Sequence, residues 1–290
     1  MITSPDNSKI KDVCRLVQKK KERTSLGLFV AEGEKQVFEV PKDRVKSIFC
    51  TEDFANTHPE VIVPGVTELV SDRVFAKMSD TDSPQGVLAV VKMRDAGPED
   101  IYGPEGCKSY FDQQTHSTGQ MMHRDVTEAA QDGQTPRKEP PLVLFLEDIR
   151  DPGNLGTIVR SAEAAGVTGI VLSEGTVDIY NPKTVRSTMG SIYRMPFFYA
   201  EEFYTELENA KKRGLRIFAA HLDSSRSFYE SDFTKSCGIL IGNEATGLST
   251  RATELADERI IIPMGGRVES LNAAMAATVI MFEARRQRIF

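Results

Sequence analysis

Residues 259–279 read RIIIPMGGRVESLNAAMAATV. The apolar run that starts at Ile260 predicts a buried strand ending at Pro263, and the Gly-Gly pair after it predicts a hinge. Ser270 then opens a predicted Ala-rich helix whose first turn carries Asn272. At such a corner, the backbone N–H and C=O groups do not form the hydrogen bonds of a regular helix or sheet, so they are available to a ligand. The stretch therefore predicts either a binding corner or an ordinary connection between a strand and a helix.

The sequence around this stretch predicts the sheet to which the strand belongs. From Pro141 onward, apolar strand patterns alternate with helical patterns. The predicted strands are 142–146, 169–172, 195–199, 216–220, 238–242 and 259–263, and the predicted helices are 155–165, 182–191, 202–213 and 271–288. Near-continuous apolar strands in this order indicate an α/β fold, a parallel sheet with helices on both faces. Ligands of such sheets bind at the carboxyl ends of the strands, and we expect the site there.

The remainder of the chain predicts two further regions. Residues 1–94 predict a small α/β domain with helices at 8–23, 34–40 and 72–78 and strands at 28–30, 45–50, 61–63 and 87–91. Residues 95–141 are rich in Gly, Pro, Gln, Ser, Thr and acids and lack apolar periodicity, which predicts an acidic flexible linker or insertion. The predicted domains are therefore 1–94, 95–141 and 142–290.

Composition limits the class of protein. The 290 residues are 40% hydrophobic and 27% charged, as in soluble globular proteins, and no apolar run approaches the roughly 20 residues of a membrane span. We expect a cytoplasmic protein with no membrane partner. The cysteines are Cys14, Cys50, Cys107 and Cys237. Because they never form Cys-x-x-Cys, neither a disulfide framework nor a zinc site is predicted, and we expect no metal. His116 and His123 are expected to be solvated linker residues.

Charge is unevenly distributed along the chain. The net charge is -6, and residues 95–141 alone hold nine acids and four bases. Residues 1–30 hold seven bases and three acids, and four of the bases are Lys19, Lys20, Lys21 and Arg23. A basic end on a nearly neutral body fits either phosphate contact or a solvated helix end.

Two other polar segments follow predicted strands. In residues 147–161, EDIRDPGNLGTIVRS, Asn154 suits a helix N-cap. Arg160 lies about two turns further on and off the buried stripe. Its guanidinium is expected either to reach the loop above the strand or to pair with Glu163 or Glu147.

Residues 239–248, ILIGNEATGL, form the other segment. Gly242 would let a flat ligand approach the backbone, and Asn243 and Glu244 add hydrogen-bonding groups; the alternative is a plain turn. The phosphate-binding patterns Gly-x-x-x-x-Gly-Lys-Ser/Thr and Gly-x-Gly-x-x-Gly after a strand are missing, which disfavours an NTPase or a dinucleotide dehydrogenase. His221 follows a strand end and suits a structural role or the rim of a ligand site.

In order, the three segments closely resemble the motifs of the SpoU (TrmH-like) family of RNA 2'-O-ribose methyltransferases, within the SPOUT superfamily. The matching residues are Asn154, Gly156 and Arg160, then Gly242, Asn243, Glu244 and Gly247, then Pro263, Ser270, Leu271 and Asn272. The resemblance covers about 142–288. Residues 1–94 resemble the family's L30e-like substrate-binding domain through FVAEGE at 29–34. The acidic insertion has no counterpart in the family pattern.

The resemblance implies a SPOUT catalytic domain with a deep trefoil knot and a pocket for S-adenosylmethionine. It implies that Gly242, Ile262 and Leu271 contact this cofactor, with Met264 and Asn243 nearby. It also implies a homodimer that forms through the knot region.

The implied reaction is methyl transfer to a ribose 2'-hydroxyl of RNA. We expect large-subunit (23S) ribosomal RNA as the substrate; the alternatives are transfer RNA and a non-catalytic RNA-binding member of the fold. The family assigns deprotonation to the arginine at position 160, but a guanidinium stays protonated below a pH of about 12. We expect Arg160 to bind the neighbouring phosphate and to stabilise developing negative charge. The residues expected to position the ribose and Arg160 are Asn154, Glu244, Ser270 and Asn272. The residues expected to contact the RNA are Lys19, Lys20, Lys21 and Arg23.

Overall fold

The computed structural model describes residues 1–94, 96–102 and 139–290. Most of the predicted linker, with Cys107, His116 and His123, lies outside these ranges, so its predicted character stays a prediction there. The chain divides into two compact units. We call residues 1–95, 149–160 and 176–194 the N-terminal unit, and residues 96–148, 161–175 and 195–290 the C-terminal unit.

The N-terminal unit is built on a four-stranded mixed sheet in the order β1-β4-β2-β3. Strand β4 is antiparallel to β1 and β2, and β2 is parallel to β3. The strands are β1 (Leu28–Glu32), β2 (Val45–Cys50), β3 (Thr67–Leu69) and β4 (Val87–Lys92). Its first helices are α1 (Ser8–Gln18), α2 (Lys20–Leu26), α3 (Glu34–Phe38), α4 (Glu52–Thr57) and α5 (Asp72–Met78). Two helices come from further along the chain: α7 (Pro152–Ala165), whose last residues belong to the C-terminal unit, and α8 (Pro182–Thr188).

Two predictions for this unit are wrong in detail. The predicted helix at 8–23 is two helices, because Lys19 between them is extended, with φ -123° and ψ 113°. The predicted strand at 61–63 is absent from the described sheet, and the third strand is β3. Pro59 starts a short 3-10 turn instead. The Thr67 hydroxyl, which accepts from the Val63 N–H at 3.0 Å, closes the following loop.

The C-terminal unit is built on a six-stranded sheet in the order β10-β8-β9-β5-β6-β7, and every pairing is parallel. The strands are β5 (Leu142–Leu146), β6 (Gly169–Ser173), β7 (Phe197–Ala200), β8 (Arg216–Ala220), β9 (Cys237–Ile241) and β10 (Glu258–Ile260). The helices, besides the end of α7, are α6 (Pro98–Tyr102), α9 (Phe203–Lys212), α10 (Thr250–Leu255) and α11 (Ala273–Ile289). The predicted parallel sheet is confirmed, whereas the knot stays a prediction. Within the described ranges, no helix is long and apolar enough to cross a membrane.

Both motif-bearing helices start at residues other than those predicted. Asn154 is not an N-cap, because α7 begins at Pro152 and the Asp151 carboxylate accepts from the Asn154 N–H at 2.8 Å. Proline suits the first helical position because its missing N–H has no intrahelical partner there. Asn272 is itself the N-cap of α11, and its side chain accepts from the N–H of Ala274 at 2.9 Å. Ser270 therefore precedes this helix.

Helix α6 falls within the region predicted as a linker. Its Ile101 is fully buried and packs into the core of the C-terminal unit. A Cβ on Gly169 would lie only 2.5 Å from the Ile101 side chain, so the glycine makes room for it. A single buried residue in a five-residue helix produces no apolar periodicity, which is why the sequence did not indicate it.

Candidate active site

A cavity of about 420 Å³ lies at the carboxyl ends of β8, β9 and β10 in the C-terminal unit. Its lining consists of 220–223 after β8, 241–248 after β9, and 260–262, Met264, 269–271, Ala273 and Ala276 after β10. Small-molecule sites typically have volumes of roughly 300–1,000 Å³. The cavity lies at the edge of the sheet where the sequence predicts a site.

The loop after β9 is closed by its own hydrogen bonds. The backbones of Asn243 and Gly247 exchange two bonds, at 3.0 and 2.9 Å. The Asn243 side-chain oxygen accepts from the N–H of Ala245 at 2.9 Å and of Thr246 at 3.1 Å. Its amide nitrogen donates to the Asp148 carbonyl at 2.8 Å. The Asn243 side chain thus holds this part of the cavity wall in shape.

Gly242 is required by this loop. A Cβ at this position would lie 2.3 Å from the Gly247 carbonyl carbon and 2.4 Å from the Leu248 nitrogen. Sequence reasoning assigned the glycine to close approach by a ligand. In the structure, the chain's own backbone makes the close approach.

Asp148 holds the ends of three neighbouring strands together. Its φ of 56° lies in the left-handed region, which a non-glycine residue adopts only when its surroundings enforce it. Its N–H donates to the Ser173 hydroxyl at 2.9 Å, and that hydroxyl donates back to the Asp148 carboxylate at 2.8 Å. With the bond from Asn243, this corner links the ends of β5, β6 and β9.

Glu147 is a buried carboxylate that sequence reasoning named only as a possible partner of Arg160. It accepts from the Ser249 N–H at 2.8 Å, the Ser249 hydroxyl at 2.6 Å and the Tyr204 hydroxyl at 2.9 Å. A buried carboxylate is tolerated only when donors satisfy it, as here. An acid directly after an apolar strand was the available signal for this anchor of the loop that ends at Ser249.

His221 presents a donor at the cavity wall. Its Nδ1 accepts from the Asp223 N–H at 3.1 Å, so the neutral ring carries its proton on Nε2. The backbone N–H of His221 donates to the Ile260 carbonyl at 3.0 Å, which fixes the position of the residue beside β10. The structure therefore places His221 at the wall of the cavity, and the ligand-rim role stays a prediction.

The structure brings together most of the predicted residues of the second and third segments. Those that line the cavity are Gly242, Asn243, Glu244, Ile262, Met264, Ser270 and Leu271. Asn272 caps the adjacent helix instead. Glu269 and the 220–223 segment also line the cavity; sequence reasoning missed them, apart from His221, because their spacing follows no pattern.

Asn154 and Arg160 belong to the N-terminal unit. Both lie on α7, where Arg160 is exposed and Asn154 is half-buried. Gly156 on the same helix is a packing residue, since a Cβ there would lie 2.4 Å from the Cβ of Ser187. The roles of Asn154 and Arg160 in the reaction remain proposals.

The basic segment of the N-terminal unit contains a correction. Lys19, Lys20 and Lys21 are exposed, but Arg23 is 3% exposed. The Arg23 guanidinium donates to the Asp178 carboxylate at 2.6 and 2.9 Å and to the Leu16 carbonyl at 2.7 Å. The prediction that Arg23 contacts RNA phosphate is wrong, because its charge is already neutralised inside the unit.

Comparison with known proteins identifies the family. A model described as the SpoU rRNA Methylase family matches residues 141–282, and one described as an MRM3-like substrate binding domain matches 7–89. The 23S rRNA (guanosine(2553)-2'-O)-methyltransferase RlmP of Bacillus subtilis is 30% identical over 287 residues, which cover 98% of each chain. This chain belongs to the SpoU rRNA methylase family. The resemblance carried by the three segments is confirmed.

Two further relatives help to interpret this SpoU rRNA methylase. The tRNA (guanosine(18)-2'-O)-methyltransferase of Thermus thermophilus is 37% identical over 157 residues, 53% of this chain and 78% of that protein. The solved structure of an AdoMet-bound rRNA methyltransferase from Sinorhizobium meliloti superposes with a TM-score of 0.76 at 30% identity, and the match covers 100% of this chain and 98% of that one. Among the residues that the structure describes in this SpoU rRNA methylase, no cluster of His, Cys, Asp or Glu is arranged to hold a metal.

Proposed function

We propose that the protein transfers a methyl group from S-adenosylmethionine to a ribose 2'-hydroxyl of large-subunit ribosomal RNA. The observation that carries the proposal is the match to the Bacillus subtilis relative, named a 23S rRNA 2'-O-methyltransferase, over 98% of both chains. The cavity at the strand ends supports it, because it supplies a small-molecule site at the motifs.

The cavity fits the proposed cofactor in size and chemistry. Bound S-adenosylmethionine would supply an electrophilic methyl group on its sulfonium sulfur. Ile262 and Leu271 offer apolar surface for an adenine, and the chain beyond the strand ends offers backbone donors and acceptors. We assign Gly242, Ile262 and Leu271 to cofactor contact, with Met264 nearby. Asn243 contributes by holding the loop, and His221 adds an N–H donor.

Arg160 is the residue that we assign to the charge chemistry, on the family resemblance. A ribose hydroxyl is a weak nucleophile at neutral pH, and negative charge develops on its oxygen as its proton is lost. A guanidinium binds phosphate in a bidentate manner and keeps its proton, so it suits stabilisation of that charge and does not suit proton removal. Arg160 is exposed on α7, where its side chain is accessible to RNA.

Four polar residues are assigned to positioning. Glu244 and Ser270 line the cavity, and Glu244 is exposed in the loop that Asn243 holds. Asn272 fixes the start of α11 and thereby the wall that carries Leu271. Asn154 lies in the first turn of α7, the helix that also carries Arg160. We propose that these four residues hold the ribose and Arg160 in place.

A methyl-transfer assay tests the proposal. Purified protein, methyl-labelled S-adenosylmethionine and ribosomal RNA from a strain lacking the gene should give label in large-subunit RNA at one alkali-resistant linkage, the signature of a 2'-O-methylated ribose. Ribose-methylation mapping of total RNA from that strain and its parent should identify the same nucleotide. Label on a base, or no difference between the two strains, would refute the assignment.

Transfer RNA is the competing substrate, favoured by the Thermus thermophilus relative. That relative matches only 53% of this chain, whereas the match to a ribosomal RNA enzyme includes the N-terminal unit. The same assay with transfer RNA separates the two. A non-catalytic RNA-binding role predicts no heat when S-adenosylmethionine is titrated into the protein by calorimetry.

We also propose a homodimer that forms through α11. The buried face of this helix carries Ala274, Ala277, Ile280, Met281 and Ala284, and its other side carries the exposed Met275, Val279, Phe282 and Ile289. Exposed apolar side chains that form one stripe on a helix typically mark a surface that contacts another protein chain. Light scattering at micromolar concentration should give twice the chain mass; a monomer would contradict the proposal. We also propose a cytoplasmic location, in keeping with the bacterial 23S rRNA relative.

A further inference from the structure

Three basic residues meet at one end of the sheet in the N-terminal unit. The antiparallel register pairs Lys92 at the end of β4 with Leu28 at the start of β1, and Val91 with Val45 at the start of β2. Arg44 directly precedes β2, and Arg94 follows β4 by two residues. We call Arg44, Lys92 and Arg94 the strand-end cluster.

Hydrogen bonds hold the side chains of the cluster in place, but they use only some of its N–H donors. The Nε and Nη2 of Arg44 donate to the Lys92 carbonyl at 3.0 and 2.8 Å. The Lys92 ammonium donates to the Asp43 carbonyl at 3.3 Å, and Arg94 Nη1 donates to the Arg194 carbonyl at 3.4 Å. A guanidinium has five N–H donors and an ammonium has three. Most donors of the cluster therefore have no acceptor within the part of the chain that the structure describes.

No carboxylate within the described ranges forms an ion pair with any cluster residue. Neighbouring arginines of the same unit behave differently. Arg23 pairs with Asp178 at 2.6 Å, Arg186 with Asp80 at 2.9 Å, and Arg194 with Glu39 at 2.8 Å. The cluster cations lack a carboxylate partner although nearby arginines have one. This difference indicates that the cluster binds an anion from outside the protein.

Burial and like charge both act on the cluster. Burial has the largest influence on the pKa of Arg44 and lowers it; the positive charge of Arg94 also lowers this pKa, whereas Tyr180, Tyr193 and Asp43 raise it. Partly desolvated like charges repel each other, and the repulsion is relieved when an anion binds between them. A phosphate suits this position, because guanidinium groups bind it through paired N–H donors.

We propose that the strand-end cluster binds the phosphodiester backbone of the substrate RNA. This inference rests on the proposed function, since it names the surface through which the N-terminal unit holds that RNA. The match of residues 7–89 to a model described as a substrate binding domain covers Arg44 and stops three residues before Lys92.

The cluster extends the basic surface predicted from the sequence. Helix α2 ends at Leu26, and the Gly27 carbonyl that follows accepts from the Met93 N–H at 2.8 Å, between Lys92 and Arg94. At about 1.5 Å per residue, Lys20 lies roughly 9 Å along the helix from Leu26. Lys20 and Lys21 therefore belong to the helix that leads directly to the cluster, and Lys19 immediately precedes this helix.

Salt-dependent RNA binding by the full chain tests the proposal. The variant Lys92→Gln/Arg94→Gln is compared with Arg73→Gln/Lys77→Gln, which removes the same charge from exposed positions of α5 in the same unit. Binding to deproteinised large-subunit ribosomal RNA is measured between about 50 and 200 mM salt, and each phosphate contact adds about 0.7–0.9 to the slope of log K against log salt. Thermal melting serves as the folding control for both variants.

The cluster variant should bind about fivefold more weakly or worse at 50 mM salt, and its slope should fall by about 2. The α5 variant should keep the wild-type slope. Equal slopes for the two variants, or wild-type affinity in the cluster variant, would overturn the inference. Calorimetry with S-adenosylmethionine separates this outcome from failure of the proposed function: the cluster variant should give the wild-type heat, whereas no heat from the wild type would count against methyl transfer alone.

Discussion

Two of the three segments that line the cavity, those after β9 and β10, are built in opposite ways. The loop after β9 is fastened at nearly every residue: Asn243 bonds to Ala245, Thr246, Gly247 and Asp148, and Gly242 packs against the returning chain. In the segment after β10, residues 265–272 are all exposed, and Cβ atoms on Gly265 and Gly266 would meet nothing within 4 Å. One wall is therefore preformed by the chain, while the other has room to adjust to what binds. A site for both a cofactor and a large RNA benefits from this division, because the rigid wall orients the first and the open wall admits the second.

Arg160→Ala should reduce the rate of methyl transfer more than any other substitution considered below. It tests whether the residues that line the cavity are sufficient for catalysis. Loss of charge stabilisation should reduce methyl transfer by about a thousandfold, the magnitude seen when one such group is removed. Calorimetric affinity for S-adenosylmethionine should stay near wild type, since neither loop changes. The assay is label incorporation into ribosomal RNA, with Arg150→Ala, an exposed arginine before α7, as the control. Wild-type turnover in Arg160→Ala would refute the role.

Paired glycine substitutions compare the two walls directly. Gly242→Ala places a methyl group 2.3 Å from backbone, so the rigid loop must open, at a cost of about 3 kcal/mol by analogy with overpacking elsewhere. Gly265→Ala meets open space and should change the free energy of unfolding by less than about 0.5 kcal/mol. Denaturant unfolding measures both, and calorimetry should show lost cofactor affinity only for Gly242→Ala. Equal effects would mean that the walls do not differ in rigidity.

Asn243→Ala removes the side-chain hydrogen bonds that hold the loop after β9, and it leaves Gly242 unchanged. The substitution removes the bonds that the Asn243 side chain accepts from the N–H groups of Ala245 and Thr246 and the bond that it donates to the Asp148 carbonyl, and we expect about 2 kcal/mol of destabilisation. The control is Thr246→Val, which removes only a 3.3 Å side-chain contact to Asn243. Denaturant midpoints should separate the two variants clearly; similar midpoints would show that the loop does not depend on the Asn243 amide.

His221→Ala should have the smallest effect, because it removes a single N–H donor at the cavity wall. The loss should weaken S-adenosylmethionine binding by about fivefold, close to 1 kcal/mol, and leave the unfolding midpoint near wild type. His221→Gln, which restores an N–H donor, should recover part of the affinity in calorimetry. Unchanged binding in His221→Ala would remove the residue from the cofactor site.

Features with a local cause could be predicted from the sequence. Apolar strands such as Leu142–Leu146 and Cys237–Ile241 are buried throughout, and this pattern already indicates a parallel sheet. The glycines and polar residues after β9 and β10 correctly indicated the position of the cavity, whereas Asn154, Gly156 and Arg160 after β5 do not line it.

Features that depend on long-range contacts could not be predicted. Asn243 bonds to a residue 95 positions away, and the inward turn of Arg23 depends on Asp178, which lies 155 positions further along. Periodicity describes which face of an element is apolar, but it does not show which distant partner a polar side chain meets. The same limit applies to Gly242, whose need for a small side chain arises from the chain that returns at Gly247.

The left-handed corner at Asp148 also has a consequence for local fluctuations. Its N–H, carbonyl and carboxylate are all engaged, with Ser173 on one side and Asn243 on the other. None of these bonds can open without loosening the others, so the ends of β5 and β9 should behave as one cooperative unit in native-state hydrogen exchange. The amide protons of Asp148 and Gly247 should therefore exchange at a common opening free energy, while those of residues 265–271 exchange freely.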